Sequence, residues 1–155
     1  MTDWHVAQLN VGKLRHPIDA DETADFVAKL DPVNAVADAA PGFVWRLQDD
    51  SGNATSVRAD DDPLVIVNLS VWESVEALEA FVRGAQHVAV LRRRGEWFEK
   101  ISAAYLVLWW IPAGRRPTTG EAMDRLAYLR AHGATPTAFT FRERFAPDAA
   151  DLSTH

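Results

Sequence analysis

Four side chains of this sequence have the types and positions needed for chemistry on a small molecule. Asn10 lies near the end of an apolar run, where its amide could orient a carbonyl or hydroxyl group of a ligand. His87 lies at the start of a helical pattern, and an imidazole titrates near neutral pH, which suits a general base. Asn68 and Ser70 share one face of a predicted apolar strand, so both need partners or a ligand.

Each of these residues also has a purely structural interpretation. Asn10 could tie the end of its strand to a loop, and His87 could cap the backbone or face water. Metal binding is less favoured, because no second histidine or carboxylate falls at ligand spacing from His87. The sequence contains no glycine-rich phosphate loop and no serine in a nucleophile elbow, which excludes two common enzyme classes.

Tryptophan is the unusual component of the composition, with six among 155 residues. Trp72 ends an apolar run where a helix is predicted to begin, a position typical of a pocket wall. Trp45 and Trp109 fall in strands expected to lie close by, although each alternates with other large apolar residues as core side chains do. We expect the three indoles to bind an apolar or aromatic small molecule.

Composition limits the class of protein. The chain is 48% hydrophobic and 25% charged, which predicts one domain over residues 1–147 with a flexible tail over residues 148–155. A net charge of -6 argues against nucleic acid as a partner, and the absence of cysteine excludes disulfides and thiolate metal sites. The longest apolar run, Tyr105–Ile111, is too short to span a membrane, and Met1–Trp4 lacks the features of a secretory signal. We therefore expect a cytoplasmic protein without a membrane partner.

Continuous apolar runs, and in some segments alternation of apolar residues with a period of two, predict the strands. In the second strand it places Phe43, Trp45 and Leu47 on one face. An exposed, hairpin-like connection rich in Asp, Ser and Gly follows over Asp49–Asp62. The predicted strands are Trp4–Leu14, Phe43–Gln48, Leu64–Val71, Tyr105–Ile111 and Ala138–Phe145.

Apolar residues at helical spacing predict the helices. The first begins at Asp21 and is expected to break at Asp31-Pro32, since proline suits a first turn better than a helix interior. Ser74 is expected to cap the helix that begins at Val75. The later helices are predicted from Val75 to Gly84, from His87 to Phe98, and from a capping Thr119 through Arg130 to a stop at Gly133.

The order of these elements is β-α-β-β-α-β followed by an appended α-β. The first six form the ferredoxin-like α+β pattern, an antiparallel sheet with helices on one face. The strand Tyr105–Ile111 is apolar on both faces, so the second face of the sheet must also be covered. With no element assigned to that face, we expect a homodimer joined sheet to sheet.

The segment Val71-Trp72-Glu73-Ser74-Val75-Glu76-Ala77-Leu78 resembles the strand-to-helix signature of the dimeric α+β barrel superfamily. Its antibiotic-biosynthesis monooxygenase-like members commonly carry Trp-Glu-Ser here and a histidine on the following helical stretch, where this chain has His87. With Gly42–Leu47 and Trp109–Thr118, the chain is similar to an uncharacterised branch, the domain-of-unknown-function family 3291.

The resemblance implies a dimeric α+β barrel and, as the leading function, a cofactor-independent monooxygenase. Many such relatives oxidise aromatic substrates with molecular oxygen and without metal or flavin, so no cofactor is expected. Asn10 and His87 would be the catalytic residues. One alternative is a non-catalytic dimeric binding or accessory protein. A further alternative is a haem protein with His87 as axial ligand. This alternative is weaker, because Phe81 stands where haem-degrading relatives have a tryptophan.

Overall fold

A computed structural model of the protein describes residues 3–48 and 62–147. Two predicted segments lie outside the described residues: most of the hairpin-like connection, residues 49–61, and the tail, residues 148–155. The strands are β1 (Trp4–Lys13), β2 (Phe43–Arg46), β3 (Val65–Trp72) and β4 (Leu106–Pro112). The helices are α1 (Ala24–Ala39, after a 3-10 turn at Asp21–Thr23), α2 (Val75–Val82), α3 (Ala85–Arg92), α4 (Arg94–Trp97) and α5 (Thr119–His132).

The four strands form one sheet in the order β2-β3-β1-β4, and every neighbouring pair is antiparallel. The first β-α-β-β-α-β elements therefore have the ferredoxin-like topology, which confirms the predicted α+β fold. In the central pair, Val6 lies opposite Trp72, Gln8 opposite Ser70, and Asn10 opposite Asn68. Because residues two apart share a face, these six side chains all project to the same side of the sheet.

Helices α1, α2 and α3 cover that side of the sheet. Val75 and Leu78 of α2 and Ala37 of α1 pack in one apolar cluster with Val6 and Trp72. This layer is held to the sheet by buried apolar contact, which is the main favourable contribution to folding. The structure therefore places the polar strand residues beneath a helical roof.

The second face of the sheet is covered by α5 of the same chain. Ala122, Leu126 and Leu129 of this helix pack against the buried residues of β1, β3 and β4 that face away from α1. The premise that no element was left for this face is wrong, because α5 supplies the apolar stripe that the doubly buried β4 requires. The predicted homodimer through the sheet face stays a prediction.

Strand β2 does not keep its side chains on one face as predicted. Its register shifts between Phe43, which pairs with Trp72, and Trp45, which pairs with Val71, so Val44 is an extra residue. Such a bulge reverses the alternation on its far side. Phe43 therefore packs with the helical roof, whereas Trp45 and Leu47 pack in the cluster under α5.

Helix α1 runs through Pro32 without the predicted interruption. Proline removes one intrahelical hydrogen bond, which disfavours but does not forbid a helix interior. Phe26 before it and Ala37 after it are both buried against the body of the protein. Tertiary packing on both sides of Pro32 thus outweighs the local preference.

Of the appended helix and strand, the structure confirms only the helix. The cap of α5 is Thr118, one residue before the predicted Thr119, and its hydroxyl accepts the Glu121 N–H at 3.1 Å. The helix ends at Gly133, whose φ of 74° suits glycine. The predicted strand Ala138–Phe145 is wrong: the segment forms only two isolated bridges, from Ala138 to Thr135 and from Phe139 to Leu108. Phe139 and Phe141 pack instead in the apolar cluster of the helical side.

Candidate functional site

A cleft of about 340 Å³ lies between the sheet and the helical roof. Its floor comes from alternate residues of β1 and β3, and its walls come from α1, α2 and α3. Five of the predicted site residues line it: Asn10, Asn68, Ser70, Trp72 and His87. We refer to it as the central cleft.

In the part of the chain that the structure describes, no helix is long and apolar enough to cross a membrane.

A polar cluster on the floor is organised by Gln8, which the sequence analysis did not select. Gln8 Nε2 donates hydrogen bonds to Asn68 Oδ1 at 2.6 Å and to Ser70 Oγ at 2.8 Å. Asn10 Nδ2 in turn donates to Gln8 Oε1 at 3.2 Å. Gln8 is 4% exposed and Ser70 is 6% exposed, so these bonds satisfy polar atoms that burial would otherwise penalise. We call these four residues the amide cluster.

The amide cluster leaves some hydrogen-bonding capacity unused. Asn68 Nδ2 donates to none of the described residues, and Asn68 is exposed. Asn10 Nδ2 uses one of its two hydrogens on Gln8. The cluster can therefore present N–H donors to a carbonyl or enolate oxygen, because its internal bonds already fix the orientation of the amides.

Trp72 forms the centre of an aromatic wall. Its ring is stacked on Phe81 at 5.3 Å between centroids and meets Phe43 edge-to-face at 5.4 Å. Its Nε1 donates to Ser70 Oγ at 2.9 Å, which links the wall to the amide cluster. With 1% exposure, the indole is a fixed backing for Phe43 and Phe81, whose partly exposed rings line the cleft.

His87 extends this wall from the first turn of α3. Its ring lies 5.3 Å from that of Phe81, in an edge-to-face arrangement. Burial lowers the pKa of His87, and a backbone hydrogen bond with Val82 partly opposes the shift. Nδ1 is enclosed and has no hydrogen-bond partner among the described residues. The imidazole is consequently neutral at pH 7 and able to accept a proton.

Trp45 and Trp109 do not belong to this group. Both pack on the other face of the sheet, in the cluster under α5. Trp109 is fully buried there, and its Nε1 has no hydrogen-bond partner in the described segments. The bulge at Val44 moved Trp45, while Trp109 has the opposite strand parity to Leu106 and Leu108, which face the helical side. The core interpretation of these two indoles is the one that the packing supports.

The junction between β3 and α2 has the predicted capping role. Ser74 Oγ accepts the Ala77 N–H at 3.1 Å, which satisfies one of the free donors of the first helical turn.

Among the described residues, no group of three or more histidine, aspartate or glutamate side chains could hold a metal ion. For haem iron, His87 is the one cleft-lining histidine that could offer an axial nitrogen.

A family model covers nearly the whole chain. Residues 5–154 match the family described as a domain of unknown function, DUF3291. The protein belongs to the DUF3291 family. Among curated proteins, none matches this DUF3291 chain in sequence.

The DUF3291 chain is similar to several solved structures at low identity. Rv0793 from Mycobacterium tuberculosis is 14% identical, with 74% of this chain and 99% of that chain covered and a TM-score of 0.47. A putative antibiotic biosynthesis monooxygenase from Nitrosomonas europaea is 15% identical (77% and 97% covered, TM-score 0.46). SnoaB, a cofactor-independent oxygenase from Streptomyces nogalater, is 16% identical (76% and 98% covered, TM-score 0.43).

Two cleft residues of the DUF3291 chain were missed for different reasons. Gln8 shares strand parity with Asn10, so the period-two argument that selected Asn68 and Ser70 on β3 would also have found it on β1. Arg94, which the sequence analysis did not select, also lines the central cleft. No local signal distinguishes it, because Arg92 and Arg93 precede it directly.

Proposed function

We propose that the protein is a cofactor-independent monooxygenase that oxidises an aromatic or apolar small molecule in the central cleft. The observation that carries this proposal is the meeting of three elements in one cavity: the neutral imidazole of His87, the aromatic wall around Trp72 and the amide cluster. Apolar cavities with a few convergent polar groups and a group of shifted pKa are typical of catalytic sites.

In the proposed reaction, the substrate carries an acidic CH2 group conjugated with a carbonyl group, as anthrone does through its aromatic rings. The His87 imidazole takes one proton from this carbon, and N–H donors of Asn68 and Asn10 stabilise the charge that develops on the carbonyl oxygen. The carbanion passes electrons to O2, a carbon–oxygen bond forms, and the imidazolium returns its proton to the outer peroxide oxygen. The resulting hydroperoxide loses water, so that one oxygen atom stays as a new carbonyl and the other leaves as H2O.

The dimensions of the cleft favour a compact substrate. Small-molecule sites have volumes of roughly 300–1,000 Å³, and the central cleft lies near the lower end of this range. A few fused aromatic rings suit such a volume better than the haem macrocycle does. The aromatic wall adds ring–ring contacts that stabilise a flat substrate by roughly 1 kcal/mol per pair.

Anthrone and oxygen test the proposal directly. We expect metal-free protein to form anthraquinone with the uptake of one O2 per anthrone. His87→Gln should lower kcat by about a hundredfold, since proton transfer by a positioned base contributes about that much. His132→Gln, on the exposed end of α5, is the matched control and should change nothing. Absence of turnover, or equal rates in both variants, would remove the proposal.

The alternative of a non-catalytic binding protein predicts a different result in the same assay. The ligand would quench tryptophan fluorescence saturably, and no product would form. The predicted homodimer is tested separately by sedimentation velocity. A species with the mass of two chains would support it, and a species with the mass of one chain would contradict it.

A further inference from the structure

The charged side chains that line the central cleft all carry positive charge. Lys29 of α1, Arg46 of β2 and Arg94 of α4 line it, and no aspartate or glutamate of the described residues does. The whole chain, in contrast, has a net charge of -6. A cleft with walls of low dielectric concentrates the field of such charges and attracts anions.

The two arginines that line the cleft, Arg46 and Arg94, differ in whether an acidic side chain neutralises their charge. Arg46 Nε lies 2.7 Å from Asp38 Oδ1, so its charge is paired within the protein. The adjacent Arg93 lies outside the cleft and is also paired. Its Nη2 lies 3.0 Å from Asp25 Oδ2, and its Nε lies 2.8 Å from Glu96 Oε2. Arg94 forms no ion pair and donates no side-chain hydrogen bond to any residue in the described segments.

Arg94 is nevertheless fixed in position, by aromatic rings. Its guanidinium carbon lies 4.6 Å from the ring centroid of Tyr105 and 5.2 Å from that of Phe98. Contact with a ring face holds the guanidinium through a cation–π attraction and leaves the N–H groups at its edge free. The result is an ordered cation with unused donors at the wall of an apolar cleft.

The position of Arg94 along the floor of the cleft is also defined. Phe98, beneath Arg94, packs so closely on Gly12 that a Cβ there would lie 2.6 Å from the ring. Gly12 pairs with Ile66, whereas Trp72 at the other end of the same strand pair lies opposite Val6. Six residues of strand separate the two ends, roughly 20 Å. The amide cluster lies between the Arg94 end and the Trp72–Phe81–His87 end.

From this arrangement we propose that the ligand of the central cleft is an aromatic carboxylate, whose carboxylate group is bound by Arg94. The inference rests on the proposed function only in taking the same cleft as the ligand site. A guanidinium matches a carboxylate with two parallel N–H···O bonds, and charge-assisted bonds of this kind are the stronger class. The aromatic body then extends over the amide cluster toward His87.

Fluorescence titration with 2-naphthoate and its uncharged analogue 2-naphthamide tests the inference. We expect the wild type to bind the carboxylate about tenfold more tightly than the amide, or more, as the loss of a charge-assisted hydrogen-bonded pair implies. Arg94→Gln should abolish this preference by weakening naphthoate binding while leaving naphthamide binding unchanged. Arg94→Lys, which keeps the charge but not the paired donors, should fall between the two.

Arg92→Gln, an exposed arginine two residues earlier, is the matched control and should retain the full preference. Equal affinities for both probes in the wild type would overturn the inference, as would an unchanged preference in Arg94→Gln. Failure of both probes to bind would overturn it as well. None of these outcomes affects the anthrone assay, so the proposed function stands or falls separately. Unfolding midpoints of the variants establish that each is folded.

Discussion

Trp72 and Ser70, two residues apart on β3, are joined by a 2.9 Å hydrogen bond from the indole Nε1 to the hydroxyl oxygen. Residues at this spacing project from the same face of a strand, so the bond lies along the floor of the cleft. The same oxygen accepts a second bond from Gln8 Nε2, at 2.8 Å. One hydroxyl therefore holds both the aromatic wall and the amide cluster in place.

Ser70→Ala should destabilise the fold. The change leaves the buried Trp72 N–H without its acceptor and removes one of the acceptors of Gln8 Nε2, which keeps Asn68 Oδ1. An unsatisfied buried donor costs about 1–3 kcal/mol, so we expect a loss of about 2 kcal/mol or more in the free energy of unfolding, measured with urea. Ser102→Ala, at an exposed position, is the control and should change it by less than about 0.5 kcal/mol. Similar values for both variants would contradict the role assigned to Ser70.

Gly12→Ala should be destabilising although alanine favours regular structure more than glycine does. Its Cβ would lie 2.6 and 2.7 Å from two ring atoms of the buried Phe98. Overpacking of this kind costs about 1–3 kcal/mol, which thermal unfolding can measure. Gly95→Ala is the matched control, because a Cβ at Gly95 has no atom within 4 Å and should leave the stability unchanged or raised. Equal midpoints would show that Phe98 does not rest on Gly12.

The lowered pKa of His87 predicts a pH dependence of stability. Between that lowered pKa and the unperturbed value of about 6.5, the unfolded chain binds more protons than the folded one. The contribution of uncharged His87 to the free energy of unfolding is therefore fully present above about pH 6.5. It is lost as the pH falls through the folded-state pKa. Urea unfolding from about pH 7.5 to about pH 5 should show a smaller loss for His87→Gln than for the wild type. Parallel curves for both would refute the shift.

Substitution of single tryptophans separates the cleft from the opposite core. Trp72→Phe removes the bond to Ser70 and part of the aromatic wall, so the affinity for 2-naphthoate should fall by about tenfold, a typical effect for a buried aromatic contact. Trp109→Phe alters only the face under α5 and should leave the affinity unchanged. Calorimetric titration measures both. A loss of affinity in Trp109→Phe alone would place the ligand on the sheet face under α5 and would contradict a site in the central cleft.

The fold was predictable where local patterns and burial agree. Apolar runs located β1, β3 and β4, and the hydroxyl of Ser74 marked the start of α2. The run through Pro32 was not predictable, because its cause is packing of both halves of α1 against distant residues.

The candidate site divides in the same way. Asn10, Asn68 and Ser70 were identified because polar residues inside apolar strands are conspicuous. The exclusion of Trp45 depended on one extra residue in β2, which inverts every side chain beyond it and leaves no mark in the composition of the strand. The role of Arg94 depended on which helix face meets the cleft, a property of the assembled layers and not of the sequence Arg92-Arg93-Arg94.

The bulge at Val44 also affects how the protein behaves at high concentration. Strand β2 is an edge of the sheet, and an exposed edge offers unpaired N–H and C=O groups to strands of other molecules. A strand of four residues that is kinked at its second residue, and that carries Arg46 at its end, makes a poor template for such pairing. The irregularity that moved Trp45 to the other face thus also protects this edge against aggregation.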